Sequence, residues 1–373
     1  MKGLILSGGK GTRLRPLTYT RAKQLLPLAN KPVLFYAIES LIAGGVNDIA
    51  IIVGDTYAEI ETAVADGKQF GEDVSITFIH QDAPLGLAHA VKIAQPFMQN
   101  DPFIMFLGDN LINEQLGPLI AEFTAPGCLD QCRILLTEVP NPSQFGVAEL
   151  AEGVPTPQNN GRLPSVRVKR LVEKPKIPPS NLALVGVYFF NHTIFTAVDA
   201  IKPSPRGELE ITDAIQWLID NDYVVHAQQL SGYWIDTGKM EDILDANRQV
   251  LLGLTPSIDA TATISSDSAL SGTVVIQAGA VVENSVIRGP AIIGENAIIR
   301  NAYIGPFSAI YHDALIEGSE VEYSIVLEHS KILNVKGRIE ESLIGRYAEV
   351  HTSPMKPHGH KLMLGDHSRV GIL

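Results

Sequence analysis

Aliphatic residues recur at every sixth position through the last third of the sequence, in three runs separated by one-residue slips. The repeated positions are Ile258, Ile264, Leu270, Ile276 and Val282, then Ile287, Ile293 and Ile299, and then Ile304, Ile310 and Ile316. A period of six fits neither an α-helix nor an alternating strand, but it places one inward residue on each short strand of a triangular coil. Stacked coils of this kind share one continuous core. We expect this second domain to cover residues 254–373, with the repeat continuing irregularly to about Val350.

The six-residue repeat resembles the hexapeptide-repeat proteins, which fold as a left-handed parallel β-helix. The predicted hand rests on this resemblance, because crossovers between parallel strands are otherwise right-handed. Open coil ends and flat faces favour self-association, so we expect a homo-oligomer.

Hexapeptide helices also occur in acyltransferases that use a histidine as general base. The histidines of this domain are His312, His329, His351, His358, His360 and His367. An acyl-transferring activity is therefore an alternative, although lone surface histidines usually have no such role. The pair His358 and His360 is too sparse to predict a metal site.

Apolar runs alternate with helical patterns in the first half of the chain. This alternation predicts an α/β domain with a Rossmann-like, mostly parallel mixed sheet and helices on both faces. The predicted strands are Lys2–Leu6, Ile49–Val53, Ser75–Ile79 and Phe103–Leu107, and the predicted helices are Val33–Ala43, Ala58–Ala65 and Gly86–Phe97. In such sheets, ligands bind beyond the carboxyl ends of the strands.

From Arg133 to Gln229 the pattern changes to strands and long loops. Gly146–Leu150 and Val166–Glu173 are predicted to form a hairpin. A last helix, Glu241–Leu252, ends at Gly253 and closes a predicted first domain of residues 1–253.

A glycine-rich segment follows the first predicted strand. Glycines at Gly8, Gly9 and Gly11 let backbone N–H groups approach phosphate oxygens, and Arg13 and Lys23 add positive charge. The segment is not a P-loop, since no Ser or Thr follows its lysine in the required place, and it lacks the third glycine of a dinucleotide-binding fingerprint. The pattern therefore indicates a polyphosphate site of another kind.

Composition excludes several classes of partner and location. The 373 residues carry a formal net charge of -12, which argues against nucleic acid as a partner. Cys128 and Cys132 cannot form a disulfide framework and are poorly spaced for zinc, so we expect ordinary thiols in a reducing compartment. No apolar run reaches the ~20 residues that span a bilayer, and the first residues are too few for a signal-peptide core. We expect a cytoplasmic protein without membrane contact.

The pattern G-G-x-G-T-R-L-x-P-L-T, followed by K-x-L-x-P and K-P, resembles the signature of the sugar-phosphate nucleotidylyltransferases. The string Lys23-Gln24-Leu25-Leu26-Pro27 is similar to the glucose-1-phosphate thymidylyltransferase branch in its long form. The resemblance spans roughly residues 1–250 through several motifs. It implies in-line attack of a sugar 1-phosphate on the α-phosphorus of a nucleoside triphosphate, with pyrophosphate leaving and no covalent nucleophile.

The resemblance implies roles for residues of the first half. Arg13 and Lys23 would stabilise developing charge. A lysine is by default a solvated surface residue, but the place of Lys23 between Arg13 and Pro27 in the motif favours the functional role. The segment from Gln81 to Leu87 matches the loop that reads the base, and an amide such as Gln81 can pair with the imide edge of thymine or uracil. The implied nucleotide-binding residues are Leu6, Gly8, Gly9, Gly11, Thr12, Arg13, Gln81, Pro84, Gly86 and Leu87.

Two aspartates are implied ligands of Mg²⁺, the expected cofactor. Asp109 ends a fully apolar strand, where it could also be a turn residue. Asp236 lies in the segment Trp234-Ile235-Asp236-Thr237-Gly238, which matches the family's W-x-D-T-G motif. Their joint occurrence in two motifs favours the metal site over two unrelated turns.

The acceptor sugar phosphate is implied to meet later segments. The matching positions are Gly146, Glu173, Lys174 and Leu184, the last through its backbone. Without the motif, Glu173 and Lys174 would be an exposed ion pair of little energetic value. The segment Arg206–Asp213 is also similar to the family, and we interpret it as the structural start of a helix with Glu210 or Thr212 near the cap.

The leading hypothesis is an enzyme that makes dTDP-glucose from dTTP and glucose 1-phosphate, feeding dTDP-deoxysugar synthesis such as that of dTDP-rhamnose. Alternatives are a nucleotidylyltransferase that uses UTP or, less closely, ATP or GTP. Further alternatives are a hexapeptide acyltransferase or bifunctional enzyme and a catalytically silent subunit. The silent subunit is disfavoured because Arg13, Lys23, Asp109, Lys174 and Asp236 are all present.

Overall fold

The computed structural model describes residues 1–9, 11–19, 21–151 and 165–353. The chain divides into two compact units, Met1–Val250 and Leu251–Leu373. No helix of the described ranges is long and apolar enough to cross a lipid bilayer.

The first unit contains one large mixed sheet and two small strand pairs. Its strands are β1 (Lys2–Leu6), β2 (Pro27–Leu28), β3 (Lys31–Pro32), β4 (Asp48–Val53), β5 (Ser75–His80), β6 (Phe103–Leu107), β7 (Asn110–Ile112), β8 (Cys132–Glu138), β9 (Gly146–Leu150), β10 (Val166–Glu173), β11 (Leu182–Phe190), β12 (Val225–Gln229) and β13 (Trp234–Asp236). The large sheet has the order β5-β4-β1-β6-β11-β8-β12-β10-β9, while β2 pairs with β3 and β7 with β13. Strands β5, β4, β1 and β6 are parallel, as are β8 and β12, and the remaining pairings of this sheet are antiparallel.

Helices lie on both faces of the large sheet, and a last helix runs across the boundary between the two units. They are α1 (Val33–Ala43), α2 (Tyr57–Val64), α3 (Leu87–Met98), α4 (Leu116–Phe123), α5 (Thr193–Ala200), α6 (Ile211–Asp220) and α7 (Met240–Leu252). Alternate residues of β1 point to opposite faces, so Leu4 and Leu6 pack in one core with α3, α5 and α6. Ile5 packs in the other core with α1, α2 and α4. The predicted α/β fold is confirmed.

Short 3₁₀ helices form much of the segment between β1 and α1. They are Thr12–Leu14, Leu17–Tyr19 and Lys23–Leu25, and two more occur at Lys68–Phe70 and Pro142–Gln144. The segment is irregular because it must leave the carboxyl end of β1 and still return to pack Leu14, Ala22 and Leu25 inside.

The second unit is a stack of short parallel strands in three sheets. They are β14 (Ser257–Ile258), β15 (Thr263–Ile264), β16 (Ala269–Ser271), β17 (Val274–Ile276), β18 (Val281–Glu283), β19 (Val286–Arg288), β20 (Ala291–Ile293), β21 (Ile298–Arg300), β22 (Tyr303–Ile304), β23 (Ser308–Ile310), β24 (Leu315–Glu317), β25 (Glu320–Val321), β26 (Ile325–Val326), β27 (Lys331–Leu333), β28 (Arg338–Ile339), β29 (Leu343–Ile344) and β30 (Glu349–His351). The sheets hold every third strand, beginning with β14, β15 and β16 respectively.

The six-residue repeat forms the core of this stack. Ile276, Ile293 and Ile310 are paired in register on successive coils, and each is almost completely buried. The same holds for the column of Val282, Ile299 and Ile316. Three parallel sheets around one aliphatic core are consistent with the predicted left-handed parallel β-helix.

Candidate active site

The glycine-rich loop, Gln81 and Asp109 all lie at one edge of the large sheet. They follow β1, β5 and β6, whose carboxyl ends meet at that edge because these strands belong to one parallel set. A Cβ on Gly8 would lie 3.5 Å from Oε1 of Gln81. Gly11 has a left-handed φ of 60°, and a Cβ there would lie 3.0 Å from the Cβ of Lys23. The loop is thus folded tightly against both the base-reading segment and the lysine.

A cavity of about 280 Å³, here called the smaller cavity, lies beside this loop. Seven of the implied nucleotide-binding residues line it, namely Leu6, Gly8, Gly9, Gln81, Pro84, Gly86 and Leu87. Lys23 and Asp109 also line it. Among the described residues, the implied nucleotide-binding residues Gly11 and Thr12 line neither this cavity nor the larger one.

Contacts within the base-reading loop fix the orientation of Gln81. Its amide nitrogen donates to the carbonyl oxygen of Gly86 at 3.2 Å and lies 3.1 Å from Nδ1 of His89. Gly86 has φ 103°, and a Cβ there would lie 2.4 Å from the carbonyl oxygen of Leu209. Leu209 in turn exchanges backbone hydrogen bonds with Leu85 and Ala88. The close approach of Leu209 therefore gives a structural reason for glycine at position 86, which also lines the smaller cavity.

A cavity of about 920 Å³, the larger cavity, adjoins the smaller one. All four implied sugar-phosphate residues line it, namely Gly146, Glu173, Lys174 and Leu184. Arg13 and Asp236 line it as well. Lys174 has a left-handed φ of 41° and donates its backbone N–H to the carbonyl oxygen of Phe145 at 3.0 Å. Strained backbone of this kind is often found at ligand sites.

The two cavities share a wall that includes Asp109. Leu87, Leu107 and Glu208 complete this wall. Nζ of Lys23 makes an ion pair with Oδ2 of Asp109, and both side chains are largely buried. Molecules bound in the two cavities would therefore approach each other beside the Asp109 carboxylate and the Lys23 ammonium group.

Asp109 and Asp236 are held together by the pairing of β7 with β13. Asp236 lies opposite Asn110 in this pairing, and Thr237 donates both its backbone N–H, at 3.1 Å, and its hydroxyl, at 2.7 Å, to the carbonyl oxygen of Asp109. Burial and the Asp109 carboxylate raise the pKa of Asp236 from 3.8 to about 6, against the lowering effect of Lys23 and Arg13. Two mutually repelling carboxylates of this kind suit a divalent cation with oxygen ligands, which would relieve the repulsion. The predicted Mg²⁺ thus fits Asp109 and Asp236.

An ionic network around Glu173 lines the larger cavity. Oε1 of Glu173 lies 3.2 Å from the guanidinium of Arg206 and 3.5 Å from Nζ of Lys174. The Thr212 hydroxyl donates to Oε2 at 3.2 Å. Arg206 also binds buried Glu210 at 2.8 Å. These residues form a connected cluster of charges at the cavity surface.

The segment Arg206–Asp213, interpreted from its sequence as the structural start of a helix, also contributes to the wall of the larger cavity. Glu210 does occupy the N-cap position of α6, but within the described part of the chain its side chain makes no cap hydrogen bond. Instead its carboxylate holds Arg206 and accepts from the Ser204 hydroxyl at 2.7 Å. Arg206, Glu208, Glu210 and Thr212 all line the larger cavity. The sequence feature that could have indicated this charge cluster is the single arginine, Arg206, next to the acidic residues Glu208 and Glu210.

The first unit of the chain matches a known protein family. A family model described as "Nucleotidyl transferase" matches residues 2–252. The chain belongs to the nucleotidyl transferase family. The family resemblance inferred from the glycine-rich motifs is thereby confirmed.

Relatives of this nucleotidyl transferase cover its full length. A protein of Streptomyces griseus named glucose-1-phosphate thymidylyltransferase is 49% identical, over 100% of this chain and 99% of the relative. A protein of the same name from Streptomyces antibioticus is 50% identical over the same shares. Among solved structures, a glucose-1-phosphate thymidylyltransferase from Bacillus anthracis, crystallised with sucrose, superposes with a TM-score of 0.59. It is 33% identical and covers 69% of this chain and 97% of its own.

Proposed function

We propose that this nucleotidyl transferase is a glucose-1-phosphate thymidylyltransferase, which converts dTTP and glucose 1-phosphate to dTDP-glucose and pyrophosphate. The observation that carries the proposal is the pair of cavities that meet at Asp109 beside Lys23. A transfer between two anionic substrates needs such a junction, where the reacting phosphates can approach each other and their charge can be neutralised. The names of the two full-length Streptomyces relatives support the choice of substrates.

In this proposal the smaller cavity takes the nucleotide. Gln81 faces the edge of the base, and its carbonyl oxygen can accept from the imide N–H of thymine, while its amide nitrogen is held by Gly86 and His89. The backbone N–H groups of Gly8 and Gly9 approach the triphosphate, and Lys23 lies where its α-phosphate would be. Uracil presents the same imide edge to Gln81 as thymine, so UTP is the nearest competing nucleotide.

The larger cavity takes glucose 1-phosphate. Lys174 and Arg206 supply positive charge for its phosphate, while Glu173 offers a carboxylate to sugar hydroxyls. Asp109 and Asp236 would hold Mg²⁺, which supplies further positive charge to phosphate oxygens when bound. Arg13 and Lys23 stabilise the charge that develops as a sugar-phosphate oxygen attacks the α-phosphorus and pyrophosphate leaves. Association into a homo-oligomer and a cytoplasmic location belong to the same proposal.

The proposal is tested by pyrophosphate release with a matrix of nucleoside triphosphates and sugar 1-phosphates, each with Mg²⁺ and with a chelator. We expect the highest kcat/KM for dTTP with glucose 1-phosphate, a lower value for UTP and none without the metal. Preference for ATP or GTP, or for another sugar 1-phosphate, would contradict the assignment. Acetyl-CoA in a parallel assay tests the acyltransferase alternative, for which we expect no thiol release.

The metal ligands are tested by Asp109→Asn and Asp236→Asn. We expect each change to lower Mg²⁺-dependent turnover by about 100-fold or more, since a charge at the reaction centre is lost, with an unchanged circular dichroism spectrum. Asp245→Asn is a matched control, because Asp245 also lines the larger cavity but is half-exposed and paired with Arg248. Full activity of both test variants would remove the metal assignment.

A further inference from the structure

One corner of the β-helix repeats the same left-handed turn on four successive coils. The residues at this position are Asn296, Asp313, His329 and Tyr347, with φ between 56° and 58°. Backbone hydrogen bonds stack them, since each donates its N–H to a carbonyl of the preceding coil, as Asp313 does to Glu295 at 2.8 Å. Asn, Asp and His are the non-glycine residues most often found in this conformation, so the turn explains part of the sequence. It does not require a second histidine at position 312.

His312, Asp313 and His329 bring three potential metal ligands together at this corner. One ligand atom from each lies within 4.8 Å of the other two. Nδ1 of His312 is 2.7 Å from Oδ2 of Asp313, and the two imidazole rings are 5.6 Å apart in an edge-to-face arrangement. Atoms at such separations can bind one ion about 2.0–2.2 Å from each after small side-chain rotations.

Neighbouring aromatic rings restrict the two imidazoles. The Tyr347 ring stacks on His329 at 4.8 Å and 20°, and the Tyr311 ring lies 4.5 Å from His312. The stacked turns fix the backbone of Asp313 and His329, because strands of adjacent coils are only about 4.8 Å apart. Less side-chain freedom is then lost on binding an ion, which favours a specific site over a chance cluster.

We propose that His312, Asp313 and His329 bind a transition metal ion of the Zn²⁺ class and thereby join two successive coils of the β-helix. Two imidazole nitrogens and a carboxylate oxygen are ligands that Zn²⁺ prefers, whereas Mg²⁺ prefers oxygen ligands alone. The ion takes the place of the proton shared by His312 and Asp313, and water completes its coordination. This site is separate from Asp109 and Asp236, which belong to the nucleotide reaction.

Calorimetric titration of the untagged, chelator-treated full chain with Zn²⁺ in excess Mg²⁺ tests the proposal. We expect one specific Zn²⁺ per chain and an affinity at least about tenfold lower in His312→Asn, Asp313→Asn and His329→Asn. Asparagine tolerates the left-handed φ at positions 313 and 329, so these changes remove the ligand while keeping the turn. Scanning calorimetry should show that Zn²⁺ raises the unfolding temperature of the wild type and not of His329→Asn.

Two control variants distinguish this site from other histidines. His351→Asn alters an exposed histidine of β30 and should leave the affinity unchanged. The double change His358→Asn with His360→Asn tests the tail pair, which lies outside the described residues. The proposal fails if His329→Asn and Asp313→Asn bind Zn²⁺ like the wild type, or if the tail variant alone loses binding. Absorption of the Co²⁺ complex gives a second measurement, since its ligand-field bands should change in His329→Asn.

Discussion

The loop from Gln81 to Leu87 can pack against Leu209 only because Gly86 has no side chain. A Cβ there would be 2.4 Å from the Leu209 carbonyl oxygen and 2.7 Å from its nitrogen, and these backbone atoms cannot move independently. We expect Gly86→Ala to displace the loop and raise the KM for the nucleotide by about tenfold, which at unchanged kcat lowers kcat/KM by an amount equivalent to roughly 1.4 kcal/mol.

Steady-state kinetics with the nucleotide as the varied substrate measures this effect. Gly127→Ala is the matched control, because Gly127 also has a positive φ of 88°, but no atom of the described residues lies within 4 Å of the place its Cβ would take. If both variants behave alike, backbone strain and not the contact with Leu209 explains the glycine.

Arg206 links the Glu173 carboxylate to the buried Glu210 at the larger cavity. Removing its guanidinium leaves these carboxylates without their shared cation, and it removes positive charge from the proposed phosphate site. We therefore expect Arg206→Ala to raise the KM for the sugar 1-phosphate by about tenfold or more, with little change in the KM for the nucleotide.

Initial-rate measurements with each substrate varied in turn separate these two effects. Arg300→Ala is a suitable control, since Arg300 has nearly the same exposure, 41% against 42%, and pairs with Glu283 on the β-helix. An equal rise in both KM values for Arg206→Ala would indicate general damage to the fold instead of a role at the sugar phosphate.

Residues inside a family motif could be identified as candidate site residues from the sequence, whereas the residues that they contact in the fold could not. Asp109 and Asp236 were recognisable because each ends an apolar strand segment inside a family motif. The network of Glu173, Arg206 and Thr212 was not, because Glu173 is more than thirty residues from the other two and only the folded chain joins them. Local patterns contain no information on such distant contacts.

Elements of the fold were predictable where glycine marks their ends. The predicted bounds of β1, β6 and α1 are those of the structure, and α1 ends beside Gly44 and Gly45. Strand β8 was predicted only as part of a region of strands and loops. Its apolar run is interrupted by Arg133, whose side chain is only 7% exposed because Asp130 and Glu122 neutralise it. The charge of buried Arg133 therefore made β8 difficult to predict from the sequence.

Asp130, just before β8, forms an ionic contact with His226 of β12 in addition to the pairing of these strands. Burial alone would raise the pKa of this carboxyl, but hydrogen bonds from His226, at 2.6 Å, and from Arg133, at 2.8 Å, outweigh it and lower the pKa. A lowered folded-state pKa contributes stability above the unfolded pKa, and this contribution is lost as the pH falls through the folded pKa. We expect Asp130→Asn to reduce the free energy of unfolding by about 2 kcal/mol at pH 7.

Urea unfolding of wild type and variant at pH 7 and at pH 3 measures this contribution. The difference should shrink below about pH 3.9, the usual pKa of an unfolded aspartate. Asp48→Asn serves as control, because Asp48 is 48% exposed and its contact with Lys2 is 4.0 Å, so we expect less than about 0.5 kcal/mol at either pH. A constant difference for Asp130→Asn at both pH values would exclude the ionic explanation.

At the scale of the whole molecule, the proposed chemistry belongs to the first unit. Every residue that lines the two cavities lies between Leu6 and Asp245. We expect a chain that ends after Gly253 to retain kcat/KM for nucleotidyl transfer within about tenfold, since domains with their own core can fold alone. Removal of the β-helix should instead change the assembly or the stability.

Kinetics and sedimentation of the truncated and full chains test this division. Circular dichroism and a cooperative unfolding transition would first establish that the shortened chain is folded. A well-folded truncation without nucleotidyl transfer would show that the β-helix contributes to the reaction itself.

The pairing of β7 with β13 has a consequence for the order in which the protein becomes active. Thr237 reaches back to Asp109 across 128 positions, so the two carboxylates meet only when the end of the first unit is in place. Domains generally fold as units, so the first unit can bring its two carboxylates together only after β13 has been synthesised. A chain truncated before β13 would therefore lack the second acid of the proposed metal site.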